Sequence, residues 1–310
     1  MTSYTPLVPP LKCQGIKTKL TGEIRRMSLP IEFERWVEPF CGSAVVAFNV
    51  QPPKALMCDS NIHIIQFYRD LQAKRLTNST VRAFLAEHGE ELRRKGEEYY
   101  YTMRERFNQS PDSLTFLFLN RSCFNGVMRF NRSGKFNVPY CHKPERFAPA
   151  YITKIANQVR RIGEVLDQCD WTFEVADFRT TLSNPKPTDF VYADPPYLGR
   201  HVDYFNSWSE ADDAALAALL RATPANFIVS TWHSNEFRSN ELIAKHWSSP
   251  SFHLFTRAHF YHVGSTESLR HPMLEALITN FSVSSTAPVP EIAEQLAFFE
   301  QPPLFASAVR

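Results

Sequence analysis

"VYADPPYLGR", residues 191–200, decides how the rest of the chain is read. Val191, Tyr192 and Ala193 suit a buried strand, but Pro195 and Pro196 have no backbone N–H for a central ladder, so the strand must stop here. Asp194 and Tyr197 are thereby held at the carboxyl end of a strand, where open α/β sheets take their ligands. A given string such as DPPY arises by accident in a chain this long on the order of once in a thousand. A proline exit without function also leaves the acid and the ring at one turn unexplained.

Working outward, strands and helices alternate in two blocks. "RWVEPFCGSAVVAFNV" (35–50) reads as strand, tight turn and helix start, and "KALMCDSNIHIIQFYRDL" (54–71) as a short strand, an acid and a helix beginning near Ile62. After a charge-rich stretch, "WTFEVADF", "DFVYADPPY", "ANFIVSTW" and "MLEALITNF" supply further strands, and Ser209 is a helix N-cap with acids in the first turn. This pattern predicts an α/β fold with a doubly wound, Rossmann-like sheet. Residues 1–71 form the first part of its core and 149–283 the second. Between them, 72–148 is an inserted, mainly helical unit in which "EELRRKGEEYYYTMRERFN" (90–108) has helical periodicity. The Pro- and Ser-rich tail, 284–310, reads as mobile.

Composition narrows the function classes. With 310 residues, 44% of them hydrophobic, the chain can bury a full core. It has no apolar run long enough for a membrane span and no signal-peptide block, which predicts a cytoplasmic protein. The six cysteines show neither CxxC pairing nor metal-ligand spacing, so reduced thiols and no metal are expected. Net charge is only +2, but residues 118–150 carry Arg121, Arg129, Arg132, Lys135, Lys143 and Arg146 against Glu145 alone, interleaved with aromatic residues. Taken alone, that segment is as consistent with a solvated loop as with nucleic-acid binding.

In the first turn, Gly42 permits a tight bend that brings backbone N–H groups to a ligand at a helix N-terminus. Asp59, at the end of the second strand, stands where a carboxylate takes ribose hydroxyls; the bland alternative is that it caps the next helix. Together they suggest an adenosine-bearing ligand.

These features, with "PLKCQGIK" (10–17), "VEPFCGSAVVAFN" (37–49), "CDSN" (58–61), "FLNRSCFNGVMRFNRSGKFNVPY" (118–140) and "YADPPY" (192–197), resemble the Dam-type DNA adenine-N6 methyltransferases of the D12 class, in the family's order and over about the first 285 residues. The resemblance implies S-adenosyl-L-methionine as cofactor, double-stranded DNA as partner and a bacterial or phage-encoded, nucleoid-associated enzyme. It implies catalysis at Asp194, Pro195, Pro196 and Tyr197, with the acid and the Pro195 carbonyl drawing on the amine hydrogens and Tyr197 stacking on a base turned out of the duplex. Cofactor contacts are implied at Cys13, Lys17, Glu38, Pro39, Phe40, Gly42, Ser43, Ala44, Asp59, Asn61, Asp177, Phe178 and Asp194. Residues 72–148 become a target-recognition unit, with DNA contacts at Lys12, Arg121, Phe124, Asn125, Val127, Arg129, Asn131 and Pro139. Arg129 would read guanine, or else contact a phosphate or form a surface salt bridge. A GATC-like site is the leading expectation, although Val127 stands where Leu is common.

Departures from the family pattern are Cys13 for Trp, Ile16 for Gly and Ala44 for the second glycine of the turn; they predict weaker cofactor binding, tolerable if residue 44 keeps a negative φ. A cytosine-N4 methyltransferase and a catalytically weakened DNA-binding module remain alternatives. His259 and His262 read as surface histidines and "YYY" (99–101) as helix packing, while "QLAFF" (295–299) resembles peptides that dock on sliding clamps.

Overall fold

The computed structural model describes residues 4–198, 208–235, 237–260 and 272–283. The sheet strands are β1 (Arg35–Glu38), β2 (Lys54–Asp59), β3 (Asp170–Val175), β4 (Asp189–Ala193), β5 (Asn226–Ser234), β6 (His253–Phe260) and β7 (Pro272–Thr279). The helices are α1 (Thr21–Ser28), α2 (Val45–Val50), α3 (Ile62–Gln72), α4 (Asn78–Lys95), α5 (Glu97–Gln109), α6 (Ser113–Ser122), α7 (Pro149–Leu166), α8 (Phe178–Thr181), α9 (Glu210–Ala222) and α10 (Glu241–His246). Strand order is β3-β2-β1-β4-β5-β7-β6, with β7 antiparallel to both of its neighbours and β1 through β5 joined in parallel. This is the expected Rossmann-like sheet. The order reverses between β1 and β4, which opens a crevice beyond their carboxyl ends.

Every residue of β4 is buried, because helices cover both faces of the parallel strands; that is why "DFVYA" is apolar after its first residue rather than alternating. Successive side chains still point to opposite sides. Phe190 and Tyr192 join one core with Trp36, Phe48 and Tyr68, while Val191 and Ala193 join another with Val37, Phe227 and Leu216. Trp36 and Phe190 stack across β1 and β4 at 5.0 Å.

The first of these cores continues into the helical segment through Val81, Leu85, Leu92, Tyr100, Phe107 and Phe118. The run at 90–108 is two helices, not one: Gly96, with φ 61° and ψ −132°, ends α4 and starts α5. A backbone in that region excludes most residues but not glycine. As expected, Ser209 caps α9, in a reciprocal pair with Asp212, and Tyr100 is buried in helix packing. The segment of "AHFYH" within the described residues belongs to β6; His262 and the 295–299 motif lie outside them. All six cysteines are free thiols. Among the described residues no helix is long and apolar enough to cross a membrane.

Two buried asparagines route the N-terminal segment over the crevice. Asn49 of α2 accepts from Leu7 N and donates to Leu7 O, both at 2.8 Å, and Asn120 of α6 does the same for Lys12 at 2.8 and 2.9 Å. Backbone groups of an irregular segment need such partners once they leave water. The result carries Lys12, Cys13 and Lys17 toward the ends of β1 and β4.

Candidate active site

Asp194 follows the last residue of β4 and is 23% exposed. Its Oδ1 accepts from Lys17 Nζ at 2.9 Å and from Ser230 Oγ on β5 at 2.8 Å. Ser230 Oγ is in turn 2.9 Å from the Tyr192 hydroxyl. Lys17, only 4% exposed, also donates to Gly15 O and lies 4.9 Å from the centre of the Tyr197 ring. The Tyr197 hydroxyl donates to Glu275 Oε2 of β7 at 2.7 Å, and its ring is 8% exposed. The prolines stop the strand, and the neighbouring strands then fix both side chains of the exit.

At the other wall of the crevice, the β1–α2 turn is closed by Gly42 N–H donating to Asp59 Oδ2 at 2.9 Å; Asp59 Oδ1 accepts from Asn61 N at 2.8 Å. Asn61, not Asp59, caps α3, accepting from His63 N. Burial raises the Asp59 carboxyl above its ordinary value against the pull of these two N–H groups. Ser43 is buried, and its carbonyl accepts from the Tyr68 hydroxyl at 2.6 Å. Residue 44 does not keep a negative φ. Ala44, at the N-cap of α2, has φ 53° and ψ 21° and lies in the left-handed region. The side chain therefore occupies a region that costs an alanine about 1–2 kcal/mol.

Pro39 and Glu38 are buried beside this turn. Trp36 Nε1 donates to Glu38 Oε1 at 2.9 Å, yet burial, reinforced by the negative Asp194, pushes the Glu38 carboxyl up to about 8. Cys13 lies against Gly42, and burial pushes its thiol up. Phe40, Phe178 and Trp208 form an aromatic trio with centres 5.3–5.5 Å apart. Asp177, exposed, caps α8 through Arg179 N.

The basic segment makes an irregular excursion between paired residues Cys123 and Tyr140, pinched again at Phe130 and Phe136. Helix α5 grips it: the Tyr100 hydroxyl donates to Val138 O at 2.7 Å, and Asn108 bonds both backbone groups of Phe136. Phe124, 54% exposed, Asn125 and Pro139 lie on its outside, and Phe124 N donates to Pro139 O. Asn120 ties this loop to the N-terminal segment through Gly126 O, and a side chain on Gly126 would meet Lys12 Cβ at 2.7 Å. Lys12 thus joins Phe124 and Asn125, its ammonium pushed down to about 8 by burial and by Arg146 and Arg121.

Other expected contacts point elsewhere. Arg121 is turned into the protein, donating to Pro10 O and Gln158 Oε1. Arg129 Nε donates to Asn137 Oδ1 at 2.9 Å, and Asn131 Oδ1 accepts from Ser133 N and Lys135 N within its own turn. Val127 is half-buried, and its N–H donates to Phe124 O. Tyr192, Ser230 and Glu275 were not among the expected site residues. The only hint in the chain is a polar residue inside an apolar strand, as in "FIVSTW" and "MLEALIT".

The sheet, with the site at its switch point, defines a Rossmann-like fold with a ligand crevice beyond the ends of β1 and β4. The model of the D12 class N6 adenine-specific DNA methyltransferases matches residues 14–263, and the chain belongs to that family. It is 33% identical to the retron Ec67 DNA adenine methylase of Escherichia coli, covering 68% of this chain and 71% of that one. With a DNA adenine methylase of Vibrio cholerae it shares 32% identity over 73% and 80% of the two chains. The modification methylase StsI of Streptococcus sanguinis is 27% identical over 89% of this chain and 43% of its own. The protein is a DNA adenine methyltransferase.

The family implies an S-adenosylmethionine-type methyl donor, and the groups around the crevice suit one. Asp194, paired with Lys17, faces the crevice together with Asp59 and the raised carboxyl of Glu38, a set of acceptors that suits the hydroxyls and positive charge of such a donor.

Proposed function

We propose that the enzyme transfers the methyl group of S-adenosylmethionine to N6 of an adenine taken out of duplex DNA, at a GATC-like sequence. The observation that carries this reading is Asp194, an acid at the proline exit of the central strand, with one carboxylate oxygen bonded by the protein. An adenine amine is a weak nucleophile because its lone pair is delocalised into the ring. Asp194 and the Pro195 carbonyl accept its two hydrogens, drawing the nitrogen toward a tetrahedral shape and localising the pair. When bound, the cofactor supplies a methyl group made electrophilic by its sulfonium. Orienting both partners in line lowers the barrier without a separate strong base.

Asp59 takes the ribose hydroxyls, Phe40, Phe178 and Asp177 hold the adenine of the cofactor, and Lys17, Glu38 and the residues of the 42–44 turn complete its site. Tyr197, anchored at its hydroxyl by Glu275, stacks on the extruded base, since the amine is out of reach inside the helix. Stacking on the face covered by Lys17 requires that side chain to move aside. Residues 72–148 serve target recognition, with Lys12, Phe124, Asn125 and Pro139 presented together and Arg129 released from Asn137 to meet a base. The enzyme works on cytoplasmic DNA, and residues 295–299 dock on a sliding clamp.

Expression in a methylation-free host followed by mapping of modified bases tests the whole reading. N6-methyladenine at one short GATC-like sequence is the expected result. N4-methylcytosine, or unmodified DNA from correctly folded enzyme, overturns it.

A further inference from the structure

Ser230 is wholly buried in β5, directly after the apolar run 227–229. A hydroxyl survives in such a place when it is bonded, and this one lies 2.8 Å from Asp194 Oδ1 and 2.9 Å from the Tyr192 hydroxyl. Serine has one hydroxyl hydrogen, and an ionised carboxylate only accepts. The Ser230 hydrogen therefore goes to Asp194, and Tyr192 must donate to Ser230. The chain runs one way, from Tyr192 through Ser230 to Asp194.

Lys17 Nζ ends on the same oxygen, Oδ1. Among the described residues, both side-chain donors to this carboxylate fall on Oδ1 and none on Oδ2. Rotation about the last bond of an aspartate is soft, and an ammonium, a point charge without the fork geometry of a guanidinium, sets its angle poorly. A hydroxyl on a central strand, itself held by a buried ring on the next strand, defines it well.

We propose that Ser230, held by Tyr192, is a positioning residue for methyl transfer: it commits Oδ1 of Asp194 to the protein so that Oδ2 faces the amine of the target base. This rests on the assignment of Asp194 as the acceptor for that amine. Ser230 is buried and meets neither DNA nor cofactor, so its loss acts on turnover and leaves binding alone.

The test uses the full chain, plasmid DNA from a methylation-free host and tritiated S-adenosylmethionine. Ser230→Ala lowers kcat about tenfold or more, the worth of a charge-assisted hydrogen bond, with both KM values within about twofold of wild type. Tyr192→Phe keeps the ring and removes only the donor, lowering kcat about threefold, and the double variant is no slower than Ser230→Ala because both act along one chain. Wild-type kcat in Ser230→Ala, a change confined to KM, or losses that multiply in the double variant would overturn the proposal. If Ser230→Ala melts below the assay temperature, Tyr192→Phe decides by itself: a lower kcat at unchanged KM supports the inference, and an unchanged kcat sinks it. A wild-type protein that labels no DNA removes the functional reading and this inference together, whereas an active wild type with indifferent variants removes only the inference.

Discussion

Asp189 opens β4 and Asp194 follows its end, five positions apart on one strand, and their surroundings differ in kind. Asp189 is buried, and both its oxygens are taken: Arg35 Nε donates to Oδ1 at 2.9 Å, Arg35 Nη2 to Oδ2 at 2.7 Å, and Lys186 N to Oδ2 at 2.8 Å. Asp194 is part-exposed, and its side-chain donors among the described residues, Lys17 and Ser230, crowd onto one oxygen. The first acid closes the amino-terminal edge of the sheet. The second is bonded only as far as it needs to be held still. An acid with one oxygen left to accept at the carboxyl edge is placed for chemistry, and one with both oxygens bonded at the opposite edge is placed for stability.

The comparison can be broken from either side. The largest expected effect is Asp194→Ala, which lowers methyl transfer by the folded fraction about a hundred- to a thousandfold, since loss of one group that stabilises the transition state has that size; leaving Lys17 buried and unpaired also lowers the urea midpoint. Asp189→Ala acts on stability alone: it costs about 2 kcal/mol of stability in urea, discounted from a fully buried pair because Arg35 remains partly in water, and the folded fraction retains its turnover number.

A third acid, Glu38, sharpens the contrast by pH. Its folded carboxyl is raised to about 8 from an ordinary 4.5, so its contribution to stability is complete below pH 4.5 and is lost as pH rises through 8. Glu38→Gln therefore flattens the fall in ligand-free stability between those limits, by more than about 1 kcal/mol at the alkaline end, read from urea melts across pH. An equal slope in the variant contradicts the assignment. The smallest effect is Ala44→Gly, which relieves the left-handed alanine but loosens the unfolded chain, for a net gain of about 0.5 kcal/mol in thermal or urea melts. Calorimetry on this variant, with and without Cys13→Trp, also shows whether these two residues weaken cofactor binding.

Much of the fold was legible because the deciding residues act locally. Prolines after Ala193 end a strand wherever it lies, and Ser209 caps a helix through its own next turn. The doubly wound sheet followed from the alternation of elements, while its strand order, and with it the switch point, came from the structure. What was hidden depends on partners distant in sequence. Nothing near Ser230 or Glu275 announces that one meets Asp194 and the other Tyr197; only the pairing of β4, β5 and β7 brings them there. Arg121 reads as one basic residue in a basic segment until the N-terminal segment supplies Pro10 O as its partner. Gly96 is a single residue within a strongly helical pattern, and the positive φ at residue 44 runs against alanine's own preference.

Single-turnover methyl transfer by Asp194→Asn, set beside Asp189→Asn with both proteins shown to be folded and bound to DNA, tests the central claim most directly. The account predicts transfer at least about a hundredfold slower in Asp194→Asn and near wild-type transfer in folded Asp189→Asn, because an amide in place of the carboxylate loses the charge that localises the amine's electrons. Transfer by Asp194→Asn at the wild-type rate would contradict it.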